Sequence, residues 1–327
     1  MSRSNLSPVI VFGGAGFIGT HLLRSLVESG RHQRIVSYDI GEPSIPVSGV
    51  EYIRGDVCEP IEIGGVVEDA EIYNLAAVHT TPGHEDWEYF WTNVHGATHV
   101  CDFAAAVGCR FLLFTSSISV YGATEAPVEE NSKLTPDSSY GRSKLQAEEI
   151  HRVWVRSNAD RRLVVVRPAV IFGPGEGGNF VRLANLLSRN RFVYPGRRDT
   201  IKSCGYVGEL IRSMEFARKL GRQEFTYNLC YEPRITIEEI CTTFSQVAGF
   251  NQPRITIPFK LMSIGGMAFE MLGSFGIRTS INRARLRKLV LSTNVLPKAL
   301  IEAGYAYETD LREALSRWRH ASNNSFV

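Results

Sequence analysis

The chain of 327 residues carries 36 lysines and arginines against 34 aspartates and glutamates, and 44% of it is hydrophobic. That length can bury one or two sizeable cores, and the near-balance of charge excludes the electrostatic footprint of a nucleic-acid-binding protein. Six scattered cysteines with no C-x-x-C pair exclude a zinc ribbon or a dithiol site and make a reducing, cytoplasmic setting the default.

Taken in chain order, MSRSNLSPVIVFGGAG lacks a signal-peptide layout, because its apolar run enters a glycine turn and not a cleavage site. The run PVIVFGG reads as a strand, and THLLRSLVESG has helical spacing closed by glycine. RIVSYD, VEYIRGD and AEIYNLAA are further strands; FWTNVHGATHVCDFAAAVG reads as one long helix ending at Gly108. RFLLFTSS is a strand, SYGRSKLQAEEIHRVWVRS a helix, and RLVVVRPAVIFG a near-continuous apolar strand. Apolar strands separated by helices predict a parallel sheet covered on both faces.

After Gly173 the pattern loosens into a loop, a helix (FVRLANLLSRN), the segment FTYNLC that returns to the sheet, and then mostly helical stretches. The expected fold is a Rossmann-type α/β protein: a doubly wound parallel sheet over 1–172, rejoined by a strand near 225–230, and a smaller, mostly helical substrate lobe over 173–327. No stretch reaches the roughly 20 apolar residues of a membrane span. The nearest approach is Ile255 to Ile277, interrupted by Lys260, Glu270 and four glycines. It reads as a buried helix or pocket wall, or as a patch that meets a membrane surface or a lipid-linked substrate.

FGGAGFIGTHLL supplies Gly13, Gly16, Phe17, Ile18 and Gly19 between a strand and a helix, and Asp39 ends the next strand 20 residues after Gly19. Glycines permit a tight turn and a close approach to a pyrophosphate, and the acid accepts from an adenosine ribose while repelling a 2′-phosphate. NAD is therefore the expected cofactor. Asp56 and Val57, ending the third strand, are placed to meet the adenine, with a plain turn as the alternative.

In SSYGRSK, Tyr140 and Lys144 are four apart and share a helix face. A free phenol titrates near 10, about three units too high for a good base at neutral pH, and a neighbouring ammonium favours the phenolate. FTSSISVYG follows a strand at the carboxyl edge of the sheet, where Ser117 would hold a sugar oxygen near Tyr140; Ser116 and Thr115 are the competing hydroxyls.

With GGAGFIG and Asp39, NLAA at 74–77, TNVHGA at 92–97, TSSISVYG, YGRSK and RPAVIFGPG at 167–175, the chain resembles the extended short-chain dehydrogenase/reductase superfamily in its sugar epimerase/dehydratase branch. Phe12 stands where that family often has threonine. The resemblance covers nearly the whole chain and implies Ser117, Tyr140 and Lys144 as catalytic, with the backbone near Ala76 and Ala77 along the cofactor. Family dehydratases carry acidic residues where this chain has Ile118 and Ser119, which points to 4-epimerisation, or to reduction of a 4-keto sugar. Family nucleotide-sugar members often have asparagine at Val170 and arginine at Lys202. Those departures and the apolar 255–277 segment resemble members that act on polyprenyl-diphosphate-linked N-acetylhexosamines. A hydroxysteroid-type dehydrogenase and a non-catalytic NAD-binding module are the remaining readings; the latter has no need of all three catalytic groups.

Asn179, Arg182 and Lys202 are polar groups placed to meet substrate phosphates, with ordinary surface as the equal alternative. His79 lines the nicotinamide pocket or is a loop histidine, and Asn93 bonds backbone near the cofactor. His95 and His99 are four apart without an intervening glutamate, so no metal is expected. Arg283, Arg285 and Arg287 read as a solvated face before a phosphate clamp. The expected partner is a sugar nucleotide or lipid-linked sugar. A homodimer through the 87–107 and 140–157 helices is typical of the family, and peripheral contact with the inner face of the membrane is left open.

Overall fold

Short apolar runs become strands, and the amphipathic stretches between them become helices. The computed structural model describes residues 6–65, 67–80, 83–261 and 290–326. The first half gives β1 (Val9–Phe12), α1 (Phe17–Ser29), β2 (Ile35–Asp39), β3 (Glu51–Arg54), β4 (Glu71–Asn74), α2 (Asp86–Phe90), α3 (Gly96–Ala106), β5 (Phe111–Thr115), β6 (Thr124–Val128), α4 (Ser139–Arg156), β7 (Arg162–Pro168) and β8 (Val170–Phe172). The second half adds α5 (Asn179–Ser188), β9 (Tyr194–Pro195), β10 (Cys204–Tyr206), α6 (Val207–Lys219), β11 (Glu224–Leu229), α7 (Ile237–Ala248), β12 (Thr256–Ile257), β13 (Thr293–Val295), α8 (Lys298–Glu302) and α9 (Leu311–Ala321).

Seven strands form one parallel sheet in the order β11-β7-β5-β4-β1-β2-β3. β1, β5 and nearly all of β7 are buried on both faces, whereas the edge strand β3 is largely exposed. One face is covered by α3 and α4 through Ala97, Val100, Ala147 and Trp154, the other by α1 and α6 through Leu22, Leu23, Leu26, Leu210 and Met214. Burying each such large apolar side chain contributes about 1.5–3 kcal/mol. The strand order reverses between β1 and β4, and the carboxyl ends at such a switch are where ligands of open α/β sheets bind.

One expectation is corrected in detail. The single long helix ending at Gly108 is α2 and α3 joined by a π-turn over Trp91–His95. The wider turn holds Asn93, which is only 3% exposed and is engaged by the backbone of the neighbouring loop. The second lobe is mostly helical, as expected, with short strands beside the helices. Around a core of Phe172, Phe180, Phe244 and Trp318 it packs α5, α7 and α9, and the parallel pairs β8–β10 and β9–β12 lie beside it. Two- and three-residue strands are too short to show a period of 2 in a sequence.

Among the described residues no helix is long and apolar enough to cross a membrane. Of the 255–277 segment, Ile255 and Leu261 are 63% and 62% exposed. Residues 262–277 of it, and Arg283, Arg285 and Arg287, lie outside the described residues.

Candidate active site

Four chain segments meet at the carboxyl edge of the sheet. Register places Phe12 opposite both Tyr38 and Asn74, so the glycine turn leaves β1 beside Asp39 and beside the Leu75–Ala77 segment. Gly19 sits so close beneath the turn that a Cβ there would lie 2.4 Å from the Gly13 carbonyl oxygen and 2.6 Å from that of Gly14. Ala15 N–H donates to Asp39 Oδ2 at 3.0 Å and Gly41 N–H to Oδ1 at 3.0 Å. Each carboxylate oxygen retains a second acceptor site. No side chain caps the N-terminus of α1, whose N-cap is Gly16, so its first N–H groups face the turn. A Gly-lined turn without a capping side chain, beside a half-buried carboxylate, fits the pyrophosphate and ribose of a dinucleotide. Asp56 is exposed and accepts from Cys58 N–H at 2.9 Å, while Val57 is buried beneath Gly96.

Asn93 locks the next segment. Its Oδ1 accepts from Val78 N–H at 2.8 Å, and its Nδ2 donates to Val78 O at 3.0 Å and to Ser143 Oγ at 2.9 Å. The loop carrying Ala76 and Ala77 is thereby fastened to α4. His79 extends outward from this loop and bonds the Ala77 carbonyl; its partial burial lowers its pKa.

α4 begins at Ser138, whose Oγ accepts from Gly141 N–H at 3.1 Å. Gly141 is needed because a Cβ at that position would lie 2.4 Å from the Ser119 carbonyl oxygen. That close approach brings Tyr140 to the turn after β5, where the Ser117 hydroxyl, which donates to Ser119 Oγ at 3.1 Å, acts to lower the pKa of the Tyr140 phenol. Ser117 also caps the short turn at Ile118–Val120, accepting from Ser119 N–H at 3.1 Å. Burial pushes the Tyr140 phenol up to about 12, against the lowering effect of Ser117, and the nearby Tyr89 phenol adds to the rise. One turn on, Lys144 is 2% exposed with its Nζ 4.6 Å above the Phe114 ring, and no protein acceptor among the described residues hydrogen-bonds it. Burial drives its pKa down to about 7, with the Glu148 charge acting in the opposite sense.

The structure thus brings Ser117, Tyr140 and Lys144 together, next to the glycine turn and the Ala76–Ala77 loop. It does not bring the three expected phosphate contacts together there. Asn179 and Arg182 are exposed at the start of α5, and Lys202 Nζ donates to the Leu291 carbonyl at 2.7 Å. Burial lowers the Lys202 pKa to about 8. Among the described residues no group of His, Cys, Asp and Glu is arranged to hold a metal ion.

Two features escaped the sequence reading. His21 Nε2 meets the Pro174 carbonyl at 2.8 Å, joining α1 to the glycine-rich loop of the second lobe across 153 residues. Glu148 is wholly buried in a cluster with Ser116, Arg152 and Arg167. Removing one member of such a buried pair costs about 3–5 kcal/mol, since the other charge is left alone. The signal was available: an arginine inside the apolar strand RLVVVRP needs a partner, and Glu148 follows Lys144 by four residues on the same helix face.

Comparison with known proteins agrees with this geometry. N-acetyl-alpha-D-glucosaminyl-diphospho-ditrans,octacis-undecaprenol 4-epimerase of Escherichia coli O157:H7 is 26% identical over 94% of this chain and 93% of its own length. UDP-glucose 4-epimerase 4 of Oryza sativa subsp. japonica is 32% identical over 76% of this chain and 79% of its own length. Among solved structures, MoeE5 in complex with UDP-glucuronic acid and NAD superposes with a TM-score of 0.74 at 22% identity, covering 98% of this chain and 100% of that one. The UDP-glucuronic acid 4-epimerase from Bacillus cereus in complex with NAD gives 0.74 at 18% identity, over 98% and 100%. The pattern of the NAD dependent epimerase/dehydratase family matches residues 9–230, spanning both the glycine turn and the Ser117–Tyr140–Lys144 cluster, and this chain belongs to that family of NAD-dependent enzymes.

Proposed function

We propose that this protein interconverts the C4 epimers of an N-acetylhexosamine carried on a diphosphate, through a transient 4-keto sugar. The observation that carries the reading is the placement of Tyr140 at the Ser117–Ser119 turn with the buried Lys144 one helical turn away. NAD held by the glycine turn and Asp39 would supply the hydride acceptor and donor that C4 needs. Tyr140 takes the proton of the 4-hydroxyl as C4 is oxidised and gives it back as C4 is reduced. Ser117 holds the reacting oxygen beside the phenol, and the Lys144 charge stabilises the phenolate. Ile118 and Ser119 offer no carboxyl acid to expel water from the keto sugar, so the ketone stays intact until the hydride returns.

The carrier is proposed to be a polyprenyl diphosphate. Supporting this are the match along almost the full length of the Escherichia coli relative, the engagement of Lys202 with Leu291, and the exposed Ile255 and Leu261. The sugar would bind between the sheet edge of 1–172 and the lobe from 173 onward, with the protein in peripheral contact with the lipid surface. The groove of about 450 Å³ between α3 and α4, lined by Thr98, Cys101, Ala105 and Val153, lies away from this cleft. With Val153 68% exposed, it supports the proposal that two copies pair through these helices.

The test is incubation of purified protein, without added cofactor, with polyprenyl-diphospho-N-acetylglucosamine and with UDP-N-acetylglucosamine. Conversion of the lipid-linked sugar to its C4 epimer is expected. Conversion of the UDP-sugar alone would overturn the carrier, and consumption of added NADH with a 4-keto sugar would make the enzyme a reductase. A second expectation concerns Asp39. Asp39→Ala should weaken NAD binding at least about tenfold, because a charged hydrogen-bond acceptor contributes roughly 1.5–3 kcal/mol. It should also narrow the gap between NAD and NADP, as measured by calorimetric titration.

A further inference from the structure

α4 carries more than the proton-carrying pair. Tyr140, Lys144 and Glu148 stand at successive steps of four on one helix face. Glu148 Oε1 accepts from the Ser116 hydroxyl at 2.6 Å and from Arg167 Nε at 2.8 Å. Its Oε2 accepts from Arg167 Nη2 at 2.7 Å and Arg152 Nη2 at 2.9 Å. One carboxylate thus ties the end of β5, where Ser116 adjoins Ser117, to α4 and β7. Arg152 is shared with Glu149 and Glu224, and Arg167 also donates to the Tyr121 hydroxyl at 2.8 Å. A well-packed apolar set of the same volume would stabilise the fold as well or better, so packing alone does not explain the cluster.

We propose that Glu148 is a positioning residue for the Tyr140–Lys144 pair: its fixed carboxylate, one turn below Lys144, favours the ammonium–phenolate form of the pair, and Ser116 and Arg167 hold that carboxylate in place. This rests on the reading of Tyr140 as the proton carrier given above.

Among the described residues the surroundings of Lys144 contain no substitute for that charge. On α4 itself lie Tyr140 and His151, and His151 is stacked on Phe114 at 4.1 Å. Burial lowers the His151 pKa to about 4, so the ring is neutral. β5 contributes the Phe114 ring, and the loop after β4 contributes His79, whose pKa is also lowered by burial. Arg152 and Arg167 are bound to Glu148. Among the described residues Glu148 is the carboxylate whose charge acts on Lys144. When the pair holds a single proton, that proton either sits on Lys144 beside a Tyr140 phenolate or stays on the phenol beside a neutral amine. An anion near Lys144 weights the first form, and it also raises the pH at which the second proton leaves.

Two variants of the NAD-loaded protein test this by shifts of opposite sign. Glu148→Gln combined with Arg167→Gln removes both charges, avoiding a lone buried arginine. It should cut the Tyr140 phenolate signal in the ultraviolet, read against the matching Tyr140→Phe proteins, by about tenfold, and move the acid limb of turnover down by about one pH unit. Arg167→Gln alone leaves Glu148 less compensated and should move the limb upward. The phenolate reading needs no substrate, so it stands whether or not the carrier sugar has been identified correctly. A folded double variant with the wild-type phenolate signal and limb would overturn the proposal. So would losses of activity at every pH, equal in both variants, with neither readout moved, since that is the signature of a merely structural cluster.

Discussion

Replacing Tyr140 with phenylalanine is expected to cut turnover by about a thousandfold or more while leaving the fold and the bound NAD in place. General acid–base catalysis by a positioned side chain contributes roughly 10²–10⁴ in rate, and in the proposed mechanism the same phenol acts in both half-reactions. The substitution removes only the hydroxyl near Ser117, and the ring contact with Tyr89, at 6.2 Å between centroids, survives it. Circular dichroism and the NAD content of the purified variant should therefore match the parent. A parallel loss of NAD or of helix content would show that the tyrosine was structural.

The pH profile gives this experiment a second axis. Burial holds the Tyr140 phenol near 12 and the Lys144 ammonium near 7. Below about 7 the pair carries two protons and has no base to offer. Above it, one proton remains for the two groups to share, and the phenolate becomes accessible. Turnover should accordingly rise with pH through about 7, in the direction of Lys144 losing its proton. The residual rate of the phenylalanine variant should be flat across the same range.

What could be read in advance followed the range of the interactions. GGAGFIG, Asp39 and YGRSK announce themselves because a strand–turn–helix and a spacing of four are local patterns. Asn93 and the π-turn around it were only half legible: the polar residue stood out, but the widened turn answers to Val78 and Ser143, the latter 50 residues away. Ser116 and Ser117 show the limit of local reasoning. Ser117 could be named in advance for the Tyr140 side, but that its neighbour Ser116 serves the buried Glu148 needed the geometry of α4. Lys202 looked free to meet a phosphate, yet its partner is a carbonyl 89 residues on, for which no local signal exists.

The largest effect on the cofactor is expected from Gly19, which packs against the backbone of Gly13 and Gly14. Gly19→Ala would set a Cβ 2.4 Å from the Gly13 carbonyl oxygen and 2.7 Å from the Gly14 Cα, and both are backbone atoms with no rotamer to change. Relief requires the turn to lift away from α1. Lifting it breaks the alignment of the N-terminal N–H groups with a pyrophosphate and strains the Ala15–Asp39 hydrogen bond on the ribose side. The core beneath is spared, since Leu22, Leu23 and Leu26 pack one to two turns further along α1. The expected result is a folded protein that purifies without NAD and binds it at least about a hundredfold more weakly, equivalent to about 2.7 kcal/mol. Its melting temperature should fall modestly and should no longer rise when NAD is added, because only binding to the native state stabilises it. An alanine variant that retained NAD through gel filtration would mean that the turn tolerates the displacement, and that the cofactor is held chiefly by Asp39 and the Ala76–Ala77 loop.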